Sequence, residues 1–232
     1  MKHIGIAAVT AEGAALAYRR ICANAAERLG RYRHPEISLH SFSFSEHIEA
    51  GPRPHEKWAD LLLASAEKLH ASGADFMICP SNTPHEVYDQ VSTKLPFPWL
   101  HIAEATRELA ARQGMQRLLL LGTRFTLEGS VYDHGAFADN GVELVLPKEA
   151  EIRRVHEIIT EELIQGEVRE QTRAYLGDLT ARYADKGVDG AMLGCTELPL
   201  AIDFINCRLP LVDSVVALAD AAVDFAIDPD RA

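Results

Sequence analysis

The sequence predicts an α/β fold of two similar three-layer halves, each a parallel sheet covered by helices on both faces. Three observations carry this prediction. Short, nearly continuous apolar runs alternate with long amphipathic patterns, which is how strands buried on both faces and their crossover helices read. The strand-like runs fall into two sets: "HIGIAAV" (3–9), "ISLHSFSF" (37–44) and "FMIC" (76–79), then "RLLLLG" (117–122), "VELVLP" (142–147) and "GAMLG" (190–194). The chain also overlies itself. "GADFMICPSNT" from Gly73 falls on "GVDGAMLGCTE" from Gly187, an offset of 114 that pairs Asp75 with Asp189 and Ser81 with Cys195. At the same offset "HIGIAA" falls on "RLLLLG", and "KLPFPWLHIAEA" from Lys94 falls on "RLPLVDSVVALA" from Arg208. An offset held over three segments reads as an internal duplication.

Helical periodicity is expected over 12–29, 55–71, 83–91, 102–112, 149–165, 169–185 and 214–225. The helix at 83 has a specified start: Thr83 as N-cap, Pro84 at the first helical position and Glu86 as the acid of a capping box. The last helix aligns with the one just after Pro98, so the chain is expected to cross into the second half near 98 and return near 213. The expected domains are 1–97 plus 213–232, and 98–212. In open α/β sheets ligands bind beyond the carboxyl ends of the strands. Two such sheets that face each other would bring Ser81 and Cys195 to opposite walls of one inter-domain cleft.

Composition narrows the function. The chain has 232 residues, a formal net charge of −11 and 25% charged residues. Its Lys and Arg form no basic stripe, which argues against a nucleic-acid partner. No apolar run approaches the ~20 residues that span a bilayer, and the opening "MKHIGIAAVTAEG" lacks a signal-peptide pattern. A cytoplasmic protein with no membrane partner is expected. The cysteines, at 22, 79, 195 and 207, have neither metal nor disulfide spacing, and no metal is expected.

Two strand-to-helix junctions hold the candidate chemistry. Ser81 and Asn82 lie before a helix start, where free amides favour a carboxylate; a plain turn is the simpler reading. Cys195 follows Gly194 at a strand end and precedes "TELPLAI". A thiol beside a helix N-terminus has a lowered pKa and is expected to ionise near neutrality. Cys79 and Cys22 read as small buried hydrophobes, and Cys207 has no evident role. Two groups on opposite faces of one carbon suit inversion of a stereocentre, because one face loses a proton and the other gains one. A thiol can serve near neutral pH; an alcohol such as that of Ser81 is a poor acid there.

"CPSNTPH" (79–85), "GTRFT" (122–126) and "GCTELPLAI" (194–202), with the opening "KHIGIAAVTAEG", resemble the aspartate/glutamate racemase superfamily along nearly the whole chain. The resemblance implies a homodimer of two pseudo-symmetric α/β domains and racemisation without pyridoxal phosphate or any other cofactor. It makes Cys195 the second-half catalytic cysteine, acting on the L-enantiomer. Asn82, Thr83 and Thr196 would bind the substrate α-carboxylate, and Thr123 and Thr126 would line the same pocket. Ser81 stands where many members have the first cysteine, as in a branch resembling L-aspartate/L-glutamate-preferring racemases. The glycine-rich opening of many members reads here as "AAVT", from which Thr10 is the candidate contact. No lysine occurs in "EELIQG" (161–166), so Arg53 and Arg124 are candidates, by charge alone, for a substrate side-chain carboxylate, with a solvated surface arginine the simpler reading of each. His85 and Glu197 would relay protons or orient the thiol, with a satisfied structural role the simpler reading of His85.

The expected activity is therefore racemisation of a small acidic amino acid, aspartate or glutamate. Cys195 thiolate would take the α-proton, and Ser81 or a water it holds would return one. Two other readings stand beside it: a single-cysteine decarboxylase or cis-trans isomerase of a dicarboxylic acid, and a relative that binds an amino acid without turning it over.

Overall fold

Apolar strands at the predicted positions assemble into two four-stranded parallel sheets in the computed structural model, which describes residues 1–48 and 55–228. The first sheet comprises β1 (Ile4–Ala8), β2 (Ile37–Ser41), β3 (Phe76–Ile78) and β4 (Trp99–Leu100), in the order β2-β1-β3-β4. The second comprises β5 (Arg117–Leu121), β6 (Glu143–Val145), β7 (Gly190–Leu193) and β8 (Leu211–Asp213), in the order β6-β5-β7-β8. The longer helices are α1 (Ala11–Leu29), α3 (His55–Ala71), α5 (Ile102–Arg112), α8 (Glu149–Glu161), α9 (Glu170–Ala184) and α10 (Ser214–Ile227). Four short ones are α2 (Phe44–Ile48), α4 (Tyr88–Ser92), α6 (Arg124–Glu128) and α7 (His134–Ala138). By internal contacts the chain divides into one unit of Met1–Ala105 with Val215–Ala232 and a second of Thr106–Ser214.

The duplication is visible at the level of single hydrogen bonds. Ile4 pairs with Phe76 in the first sheet and Leu118 with Gly190 in the second, both members displaced by 114. Asp75 accepts the His3 amide (2.6 Å) and returns its own N–H to the His3 carbonyl (2.9 Å). Asp189 does the same for Arg117, at 3.0 Å in each direction. Two residues earlier in each half a glycine takes a positive φ, Gly73 at 92° and Gly187 at 78°, a turn that L side chains resist. Each half thus enters its inner strand through the same Gly-x-Asp device.

The offset does not hold to the end. Met77 pairs with Trp99 but Ala191 with Leu211, and α5 and α10 begin at 102 and 214, so here the displacement is 112. The sequence match of Leu95-Pro96 with Leu209-Pro210 is thus out of structural register. The Met77 amide donates to Pro98 and the Ala191 amide to Pro210, both at 2.9 Å. Pro98 is the true counterpart of Pro210, because a proline can accept such a bond at a strand's entry while having no N–H of its own to satisfy.

Other expectations need correction. Each sheet has a fourth, edge strand that two or three residues could not announce by periodicity. The run 37–44 stops at Ser41, and Phe44 opens a short helix. The helix expected at 83–91 is a 3-10 turn, Thr83–Val87, followed by α4. Thr83 is not its cap and Glu86 closes no capping box: the cap position is Asn82, and Glu86 Oε2 instead bonds His55 Nε2 at 2.7 Å. The helix expected at 149–165 breaks at Glu162, a buried carboxylate bonded by the Thr172 hydroxyl and held 3.5 Å from both Arg154 and Arg169. Burying that charge without partners would be costly, so the chain turns where the arginines can reach it.

Within the second unit α8 buries Ile152 and lays Val155, Ile158 and Ile159 on a core shared with Leu119, Leu121, Leu176 and Leu193. Cys207 belongs to that core. No helix among the described residues is long and apolar enough to cross a membrane.

Candidate active site

Parallel pairing of neighbouring strands places their C-terminal loops side by side. In the first unit the segments after β1 and β3 carry Thr10, Ser81, Asn82 and Thr83, the last opening the 3-10 turn; in the second, those after β5 and β7 carry Thr123, Thr126 in α6, Cys195, Thr196 and Glu197. Thr10 caps α1 by accepting the Gly13 amide at 3.3 Å, and Thr123 caps α6 by accepting the Thr126 amide at 3.3 Å. The Thr123 and Thr126 hydroxyls lie 3.1 Å apart.

Two glycines bring the second unit's loops together. The Gly194 amide donates to the Leu121 carbonyl at 2.7 Å. A Cβ on Gly194 would lie 3.1 Å from that carbonyl oxygen and 3.4 Å from Thr126 Cγ2; one on Gly122 would lie 3.1 Å from the Gly194 carbonyl. Gly194→Ala is therefore expected to cost about 1–3 kcal/mol by overpacking. A thermal melt checks this, and an unchanged midpoint would mean that the loops separate without cost.

Cys195 is partly buried, with Thr196 and Glu197 buried beside it. Its Sγ–H donates to Glu197 Oε2 at 3.0 Å. Burial first, and then the Glu197 carboxylate, push the thiol well above its ordinary value, against the opposing pull of the Glu197 and Thr196 backbone amides on the sulfur. This corrects the expectation of a resting thiolate. The helix after Cys195 is a single 3-10 turn, Leu198–Leu200, which has too few aligned peptides to outweigh an adjacent carboxylate.

Ser81 is partly buried and Asn82 buried. The Ser81 backbone amide bonds the Cys79 thiol, which burial pushes up to about 12; Cys79 is inert at neutral pH. His85 is buried, with Nε2–H donating to the Cys79 carbonyl at 3.0 Å and Nδ1 accepting the Ile102 amide at 3.5 Å. Its ring packs on Trp99 and His101, each with centroids 4.8 Å away. Burial, then His101, hold its pKa well below the usual histidine value. With both nitrogens engaged, neutral His85 braces the loop before Ser81 against the start of α5.

Arg124 is engaged at the surface by Glu128 (2.5 Å) and Glu149 (3.2 Å). Arg53 lies outside the described residues. His156 joins this segment from α8: its Nδ1 accepts the Arg124 amide at 3.4 Å and its ring meets Phe125 edge-on at 5.4 Å. The contact spans 32 positions, and no local pattern announces it. Among the described residues no group of three or more His, Cys, Asp or Glu is placed to hold a metal ion.

The chain is similar to known proteins over most of its length. A crystal structure from Yersinia pestis is 31% identical and superposes with a TM-score of 0.86, covering 98% of this chain and 100% of the other. The aspartate racemase homologue PH1733 of Pyrococcus horikoshii OT3 is 29% identical at a TM-score of 0.84, over 98% and 100% of the two chains. The broad specificity amino-acid racemase RacX of Bacillus subtilis (strain 168) is 28% identical over 172 residues, 74% of each chain. The model of the Asp/Glu/Hydantoin racemase family matches residues 6–222. Spanning both sheets, the threonines after β5 and the cysteine and threonine after β7, that match makes this chain a member of the Asp/Glu/Hydantoin racemase family.

Proposed function

We propose that the protein racemises an amino acid without a cofactor, acting on aspartate or glutamate with a preference for the L-form. The observation that carries this reading is the Cys195 Sγ–H bond to Glu197 Oε2 at 3.0 Å. The carboxylate accepts the thiol proton, and the thiolate so formed takes the α-proton of the L-substrate. Ser81, which the repeat aligns with Cys195, returns a proton to the opposite face, directly or through a water. The proton on Glu197 leaves to solvent, and the donor at Ser81 is recharged from it. Thr123, Thr126 and Thr196, with Asn82 and Thr83, bind the α-carboxylate, and Thr10 contributes from the loop after β1.

Because an alcohol is a poor proton donor, turnover is slow, and kcat is larger from L to D than from D to L, with KM compensating because the two enantiomers have equal free energy. Incubation with L-Asp and L-Glu in deuterated water, alongside other amino acids because a relative is a broad specificity amino-acid racemase, tests this. α-Deuterium and D-product are expected. Their absence for every amino acid would end the racemase reading, and equal kcat in both directions at saturating substrate would end the role given to Ser81.

A thiol that rests protonated also suits a reaction in which Cys195 only donates a proton, such as decarboxylation of a substituted malonate. Carbon dioxide release without α-exchange would favour that alternative.

A further inference from the structure

Phe204 and Ile205 are 87% and 81% exposed, the most exposed large hydrophobic side chains among the described residues. They stand in the loop that leads from the Leu198–Leu200 turn to β8, and that loop is tightly built. Asp203 Oδ1 accepts the Ile205 and Asn206 amides at 2.7 and 3.3 Å, and Asn206 Oδ1 accepts the Asp203 amide at 2.8 Å. The Asn206 side-chain amide donates to the Ala201 carbonyl at 2.8 Å and to the Arg173 carbonyl at 3.3 Å, and the Arg173 guanidinium donates to the Leu200 carbonyl at 2.8 Å. Gly177 of α9 allows this close approach: a Cβ there would lie 2.7 Å from the Asn206 carbonyl oxygen. The backbone on both sides of Phe204 is thus fixed, and two large apolar side chains are held in water, where they forgo the stabilisation of burial. Such a pair is a preorganised anchor, because binding need not order the backbone that carries it.

Beside the pair runs a groove of about 600 Å³, lined by Pro199, Ile202, Leu209, Pro210 and Leu211, with Phe204 forming part of its wall. Anchor and groove belong to one surface of the second unit. A two-fold axis beside the loop would seat the Phe204 and Ile205 of one protomer in the groove of its partner and the reverse, the self-complementary arrangement of an isologous contact. Charge favours the same occupant. At −11 the chain repels acidic surfaces at long range, but next to the groove the two signs are interspersed: Arg173 lies 3.6 Å from Asp203, and Arg208 3.2 Å from Asp185. The side chains of Arg208 and Asp185 are 65% and 67% exposed, so they are free to exchange partners across the axis, Arg208 of one protomer meeting Asp185 of its partner. Over both protomers, the two anchors and the equal areas that receive them amount to on the order of 1,000 Å², the low end for a specific interface, so the contact is reversible and of micromolar strength. We propose that this surface is an interface between two copies of the chain. The proposal does not depend on the racemase reading.

Sedimentation velocity of the full chain, from low to high micromolar concentration, tests it. The wild type is expected to double in mass across that range, in addition to any pairing through other surfaces. Phe204→Asp should raise the dissociation constant by about 30-fold or more, as loss of an aromatic anchor does. Its melting midpoint at low concentration should be unchanged, because the side chain it removes already faces water. Ile205→Asp should act in the same direction. Arg208→Glu and Asp185→Arg each set like charges against one another across the axis and should weaken association when studied alone. An equimolar mixture of the two should associate as the wild type does, because each variant then meets the opposite charge. A wild-type mass that does not depend on concentration, or association equally strong in Phe204→Asp, would overturn the proposal and leave the surface to a different protein. A mixture no tighter than either charge variant alone would overturn it too, since the two-fold contact exchanges these partners.

Discussion

Cys195→Ala is expected to lower α-proton exchange by about 10²–10⁴-fold, the range spanned by removal of a positioned acid or base. KM should change little, because the threonine hydroxyls and backbone amides proposed to hold the carboxylate remain. Cys79→Ala and Cys207→Ala are the controls. Both thiols are buried in packed surroundings, so these variants should melt earlier and keep kcat within about twofold. Deuterium exchange rates across the three variants check this. Comparable losses in all three would mean that Cys195 matters only as packing.

Glu197→Gln is expected to separate the two duties of the carboxylate. Burial remains, but the charge that adds to it is removed, so the thiol pKa falls from its raised position toward the ordinary value. Alkylation of Cys195 should then reach half its maximal rate at a lower pH than in the wild type. Exchange should nevertheless fall by roughly 10–100-fold, because the thiol has lost its proton acceptor. Stability carries the same signature. A thiol raised in the folded state keeps a proton that the unfolded chain releases above about pH 8.5, so its contribution is complete below that pH and is lost as pH rises. The slope is at most about 1.4 kcal/mol per pH unit. Glu197→Gln should narrow that window of loss in melts between pH 8 and 11. An unchanged alkylation profile would show that burial alone raises the thiol.

The legibility of this chain followed the range of its interactions. The inner strands were readable because each is a run of apolar residues, and the repeat was readable because Gly73-x-Asp75 and Gly187-x-Asp189 perform one local task twice. Pro96 misled because it sits in the same dipeptide as Pro210, whereas the proline that accepts a ladder bond is Pro98. The capping box expected of Thr83 and Glu86 fails for a related reason. The local pattern offered a capping box, and a histidine 31 positions away made the better bond.

Cys195 divides the same way. Its place at a strand end, after a glycine that lets two loops close, is written in the sequence, as are the threonines that accompany it. Its resting protonation is not. Glu197 is two residues away in the chain, but only the folded loop turns its carboxylate onto the sulfur, and only the packed core removes the water that would have weakened that charge.

By itself, then, the sequence determined the α/β class, the duplication and the residues presented at the strand ends, because strand periodicity and glycine turns are local properties. The tertiary structure decided the edge strands, the register of the last ladder, the neutral bracing role of His85 and the proton on Cys195. Each of these depends on burial and on partners distant in the chain, and the charge state of a group follows the surroundings that folding builds around it.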